Sequence, residues 1–213
     1  MSNHSKKKCW IKRHIQDSFV KQSQKDGYRS RAAYKLEEIV LDYNLFHGIT
    51  NVLDLGCSPG SWSQFVLNTN KNVNVVGVDL LDTTPLSNSS FYFIKGDFTE
   101  SAVQNAILAK FNSINSKGIE LLLSDMAPDL TGNSVVDQAR LEELSTQVIS
   151  YCSKYLKKDG SCLMKLFHGM HFDTVLKLAS LVFKNKKVIK PKASRSKSSE
   201  CYLLMQKLND RYT

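Results

Sequence analysis

At 213 residues and 42% apolar content, the chain is long enough for one domain around a single core and too apolar to be disordered. Its formal net charge of +9 is unevenly spread: residues 1–35 carry a net +8 and residues 184–197 a net +7, which leaves the rest of the chain acidic by six charges. No run approaches the roughly 20 apolar residues of a membrane span, no secretion signal is present, and five isolated cysteines (Cys9, Cys57, Cys152, Cys162, Cys201) argue against a disulfide framework or a zinc site.

Residues 1–29 read as a basic, partly helical extension, and residues 30–213 as the folded domain. Ala32 to Tyr43 places Ala33, Leu36, Ile39, Val40 and Tyr43 at helical spacing. Val52–Leu55 is a short apolar run stopped by glycine, hence a buried strand. Ser61 to Leu67 predicts the next helix, with Trp62, Phe65 and Val66 on one side. Strands are expected at Val73–Val78 and Phe91–Ile94, a helix at Ser101–Phe111, and a strand at Ile119–Leu123. Asp137 to Leu156 predicts a long helix, Gly160–Phe167 a strand, and Asp173 the cap of a helix running to Phe183. Lys187–Ile189 and Cys201–Met205 are the last strands, too close together for a crossover helix and so expected to pair antiparallel. The alternation implies an α/β domain: a seven-stranded, mainly parallel sheet with helices on both faces.

The loop Gly56-x-x-x-Gly60 leaves the first strand and opens a helix, at the sheet edge where open α/β sheets bind ligands. It lacks the glycine pattern of a dinucleotide fold and the lysine of a phosphate loop, so a ligand with a small polar end fits better. Three acids close successive strands: Asp79, Asp97 and Asp125. Asp79 suits the two hydroxyls of a ribose and Asp97 the edge of a base, although strand-ending aspartates also serve as turn formers. Lys165 interrupts the apolar strand Leu163-Met-Lys-Leu-Phe167, where a charge without a partner or a task is rare. His168 and His171 are the only close histidine pair, and no second ligand pair accompanies them.

Taken together, Tyr28-Arg-Ser-Arg-Ala-Ala-Tyr-Lys-Leu36, Val52–Gln64, Asp79-Leu-Leu81, Gly96-Asp-Phe98, Ser124-Asp-Met-Ala-Pro128, Thr131-Gly132, Lys165–Gly169 and Lys190–Tyr202 resemble the FtsJ/RrmJ family of ribose 2′-O-methyltransferases, from about residue 10 to residue 205. The resemblance implies a Rossmann-like class I fold dependent on S-adenosylmethionine. It also implies a catalytic set of Lys35, Asp125, Lys165 and Glu200, and cofactor contacts at Gly60, Trp62, Asp79, Asp97 and Asp125, with no metal. Ser124-Asp-Met-Ala-Pro and Phe19-Val20-Lys-Gln resemble the compact enzymes that modify large-subunit ribosomal RNA, with uridine the expected nucleotide. Gly60-Ser-Trp62 and Asp129 also resemble the transfer-RNA branch, which stays open as the alternative substrate. A non-catalytic RNA-binding assembly factor is the alternative from another class.

In the chemistry so implied, Lys165 takes the hydroxyl proton, Lys35 stands nearby as a second cation, Asp125 orients Lys165, and Glu200 fixes Lys35 or the ribose. Lys6, Lys7, Lys8, Lys12, Arg13, Lys21, Lys25, Arg29, Arg31, Lys192, Arg195 and Lys197 are expected to track phosphates. Trp10, Tyr28 and Tyr34 are candidates for stacking on a splayed base. The expected setting is a monomer in the cytoplasm, with the mitochondrion as alternative, acting on large-subunit ribosomal RNA within a ribosomal particle and binding neither DNA nor membrane.

Overall fold

The computed structural model describes residues 17–114, 118–196 and 198–212. Lys6, Lys7, Lys8, Cys9, Trp10, Lys12, Arg13 and Lys197 lie outside the described residues.

Seven strands form one sheet in the order β3-β2-β1-β4-β5-β7-β6. They are β1 (Asn51–Leu55), β2 (Asn74–Asp79), β3 (Phe91–Lys95), β4 (Ile119–Ser124), β5 (Leu156–Phe167), β6 (Phe183–Ile189) and β7 (Glu200–Leu208). β1 to β5 run parallel, and β7 is inserted antiparallel between β5 and β6. Among the described residues six α-helices accompany them: α1 (Ser18–Lys25), α2 (Ala32–Tyr43), α3 (Ser61–Thr69), α4 (Ser101–Ser113), α5 (Ser134–Tyr155) and α6 (Phe172–Val182). Among the described residues no helix is long and apolar enough to cross a membrane.

Both faces of the sheet are covered, which is why every residue of β1 is buried. On one face Leu36 and Ile39 of α2 meet Trp62, Phe65 and Val66 of α3 over Val52, Leu121, Leu163 and Tyr202. On the other, Ile107 and Phe111 of α4, Val148 and Ile149 of α5 and Val175 of α6 cover Leu53, Leu122, Met164 and Leu203. The helical spacing read for α2 matches its buried side: Ala33, Leu36, Ile39 and Val40.

Several boundaries differ from expectation. Asp137 does not start α5, and Asp173 does not cap α6. Asn133 caps α5, accepting from Val135 N and Val136 N, while His171 holds the cap position of α6 and Asp173 sits in the first turn, where a carboxylate meets the positive end of the helix. β5 begins at Leu156 because Ile119 pairs with Leu156 and Leu121 with Ser161, an irregularity that lets the strand start before Gly160. β6 begins at Phe183, four residues early. It is the sheet's edge strand, and the exposed Lys184, Lys186 and Lys187 conceal its alternation while keeping the open edge polar. The described part of the extension is packed on the domain: Phe19 lies 5.7 Å from Tyr34, and the buried Val20 faces inward.

Candidate active site

Strand register sets the site. Leu55 pairs with Val78 and with Ser124, and Ser124 pairs with Met164, so these four residues form one row across β2, β1, β4 and β5. One step further along the chain stand Gly56, Asp79, Asp125 and Lys165. On the antiparallel side Lys165 faces Tyr202, and Phe167 faces Glu200. Residues remote in sequence reach one sheet edge because parallel strands all end there.

An open cleft of about 650 Å³ occupies that edge. Gly56, Asp79, Asp97, Asp125 and Met126 are in its lining. Asp79 accepts the N–H of Ser58 through Oδ2 and the N–H of Leu81 through Oδ1, both at 2.8 Å, which ties the glycine loop to the end of β2. Asp97 holds the N–H and hydroxyl of Thr99 through Oδ1. Gly56 has φ +71°, and a Cβ there would lie 2.1 Å from Met126 Cγ, so only glycine leaves this wall in place.

Gly60 and Trp62, expected at the cofactor, do not line the cleft. Gly60 backs onto Arg29, whose Nη1 donates to Pro59 O at 2.8 Å and whose Nη2 donates to Pro85 O at 2.8 Å. Trp62 is buried, donates Nε1–H to Ala32 O at 2.8 Å and packs 5.7 Å from the Tyr202 ring. Through that hydrogen bond Trp62 fixes the start of α2, the helix that carries Lys35.

The four charged groups converge. Lys165 Nζ lies 3.3 Å from Asp125 Oδ1 and donates to Asp125 O at 2.5 Å. Lys35 Nζ pairs with Glu200 Oε1 at 2.7 Å, with side chains only 12% and 14% exposed. Tyr202 joins the pairs: its hydroxyl donates to Asp125 Oδ1 at 2.7 Å, and Lys35 Nζ sits 5.7 Å from its ring centroid. Burial pushes the Glu200 carboxyl up, but the Lys35 ammonium and its hydrogen bond, the Ser194 hydroxyl and Lys165 outweigh it and hold Glu200 below its ordinary value. Lys35 therefore stands against Glu200 rather than as a bare cation beside Lys165. Burial, with the Asp125 and Glu200 charges, raises the Tyr202 phenol well above its ordinary value and keeps it a hydrogen-bond donor.

Two further residues were not singled out from sequence. Asp54 is 1% exposed beneath the cleft and accepts the Ser63 hydroxyl at 2.6 Å; burial raises its pKa to about 7. The signal was an acid inside an apolar strand. Asp137 is turned back on the loop before α5, where Oδ1 accepts from Thr131 N at 2.7 Å and Oδ2 from Gly132 N at 3.0 Å.

Several expected RNA contacts are otherwise engaged. Tyr34 donates to Asp26 at 2.7 Å, and Tyr28 lies edge-on to it at 5.8 Å and near Phe65, so neither ring is a free platform. Arg31 pairs with Asp17 and donates to Ala193 O, and Arg195 lies 3.5 Å from Asp17. Lys21, Lys25 and Lys192 are exposed. His171 pairs with Glu142 at 2.6 Å, and no described group of three or more His, Cys, Asp or Glu side chains is placed to hold a metal.

Residues 28–208 match the model of the FtsJ-like methyltransferase family. A ribosomal RNA large subunit methyltransferase E of Herminiimonas arsenicoxydans is 38% identical over 99% of both chains. A protein of that name from Legionella pneumophila (strain Corby) is 40% identical over 98% of this chain and all of its own. The crystal structure of a putative ribosomal RNA methyltransferase from Plasmodium falciparum superposes with a TM-score of 0.73 at 30% identity, over 85% of this chain and 98% of that one.

Proposed function

The chain belongs to the FtsJ-like methyltransferase family, and from that membership we propose that it transfers a methyl group from S-adenosylmethionine to a ribose 2′-hydroxyl of large-subunit ribosomal RNA. The assignment rests on Asp125, the residue shared by the cleft lining and the charged cluster. A donor in the cleft and a hydroxyl at Lys165 meet there.

The residues present suit that cofactor: an open cleft of about 650 Å³ with Asp79, Asp97 and Asp125 among its lining carboxylates would accept hydroxyl and amino hydrogens and favour a cation. When bound, the cofactor supplies an activated methyl group on a positively charged sulfur. Asp79 would accept from ribose hydroxyls and Asp97 from the base edge, and Asp125 would hold the amino acid end. Lys165 would hold the attacking 2′-hydroxyl and, as the neutral amine after releasing its own proton, would take the hydroxyl proton. Lys35, anchored by Glu200, steadies the oxygen. Positioning of this kind lowers a barrier by roughly 7–11 kcal/mol. The exposed Lys21, Lys25 and Lys192, with the basic residues 1–29, carry phosphate contacts. The enzyme acts as a monomer in the cytoplasm, on the large-subunit particle.

The test is methyl transfer from radiolabelled S-adenosylmethionine to large-subunit particles, their deproteinised RNA and transfer RNA, with the labelled ribose mapped. Label confined to a large-subunit ribose 2′-oxygen is expected, and loss by about 10²-fold or more in Lys165→Ala with cofactor affinity retained. Transfer to no RNA, or to transfer RNA alone, refutes the substrate; a Lys165→Ala rate near wild type refutes the base.

A further inference from the structure

One aromatic pair beside the charged cluster has no part in the chemistry above. The His168 imidazole stacks on Phe172 with centroids 4.4 Å apart and planes 27° from parallel. Phe172 opens α6 and is half-buried against the core, whereas His168 is exposed. The platform is thus anchored on one side and open on the other.

Its position is fixed relative to the reacting groups. His168 follows Phe167, the cross-strand partner of Glu200, and lies three residues beyond Lys165. The His168 N–H donates to Ser199 O at 2.9 Å. The exposed Lys190 donates to Ser198 O at 2.7 Å and to Glu200 O, the carbonyls on either side. An ammonium and an open aromatic face therefore flank the same three-residue segment, Ser198 to Glu200, that delivers Glu200 to the site. Flat aromatic rings beside a cation are what single-stranded RNA uses: the base stacks and the phosphate pairs.

We propose that the His168–Phe172 stack is a subsite for an unpaired RNA base next to the methylated ribose, with Lys190 at the adjoining phosphate. The subsite rests on the proposed RNA 2′-O-methylation and names a contact that orients its substrate. Stacking requires an aromatic face and no particular charge, which separates it from a hydrogen-bonding or ionic role.

The experiment compares His168→Ala, His168→Leu and His168→Phe with wild type in two assays. One is methyl transfer to large-subunit RNA with kcat and KM separated; the other is equilibrium binding of a short single-stranded oligoribonucleotide without cofactor. Expected is a rise of about fivefold or more in KM and Kd for Ala and Leu, kcat within about twofold of wild type, and restoration by Phe. Wild-type KM and Kd in His168→Ala overturns the subsite, as does a Phe variant as weak as Ala, or a loss confined to kcat. If wild type methylates no RNA, the proposed function fails by itself; the binding assay then still decides the subsite, because equal Kd for wild type and His168→Ala removes it.

Discussion

Tyr202 donates its hydroxyl hydrogen to Asp125 Oδ1, the same oxygen that lies 3.3 Å from Lys165 Nζ, and Tyr202 is also the cross-strand partner of Lys165. One phenol thus holds the carboxylate that pairs with Lys165, while Lys35 lies over its ring.

Tyr202→Phe keeps the ring that packs on Trp62 and removes only the donor. A hydrogen bond to a charged group contributes about 1.5–3 kcal/mol, so kcat is expected to fall about tenfold or more. KM for RNA should stay near wild type. Steady-state kinetics beside a thermal melt checks this; a large fall in melting temperature would place the effect on the fold instead.

Glu200 titrates below its ordinary value of 4.5 in the folded chain. A depressed carboxyl contributes stability above its unfolded value and loses it as pH falls through the folded one. Glu200→Gln is therefore expected to be less stable than wild type by about 1–2 kcal/mol at neutral pH. The gap should close as pH drops below 4.5. Urea melts at several pH values read the difference.

Asp54 has the opposite sign. With its pKa raised from 3.8 to about 7, the folded state holds the proton more tightly than the unfolded chain. Its stabilisation is complete below 3.8 and declines as pH rises toward 7. Asp54→Asn lacks this dependence, and the wild-type-to-variant difference should shift by on the order of 4 kcal/mol across that window. Melts of both proteins between acid and mildly alkaline pH supply the comparison; parallel curves would remove Asp54 as the titrating group.

Gly56→Ala places a methyl group against Met126 and an alanine in left-handed backbone, a cost of about 1–2 kcal/mol. Met126 can yield only by rotating, and it lines the same cleft. Affinity for S-adenosylmethionine is expected to fall about tenfold, with a lower melting temperature. Titration calorimetry measures the first and a thermal scan the second.

What was legible in the chain followed burial. α2 and β1 declared themselves because one is half-buried at helical spacing and the other buried on both sides. Asp125, Lys165 and Glu200 lie at strand ends or inside an apolar strand, and their meeting point follows from register, whereas Lys35 sits on α2 and was reached through the family resemblance. The first four residues of β6 escaped because an edge strand need not alternate, and its lysines resemble a loop. Tyr202 carried no distinguishing mark: an aromatic in an apolar strand is ordinarily core, and only the position of Asp125 gives its hydroxyl a task. Trp62 and Gly60 were read as cofactor contacts from the family resemblance, and their packing against Ala32 and Arg29 is a feature the sequence does not display.

β7 enters the sheet between two strands made before it, bringing Glu200 and Tyr202 with it. The four charged groups therefore converge only once β7 has been synthesised. A chain that stops short of β7 lacks both the anchor for Lys35 and the clasp on Asp125.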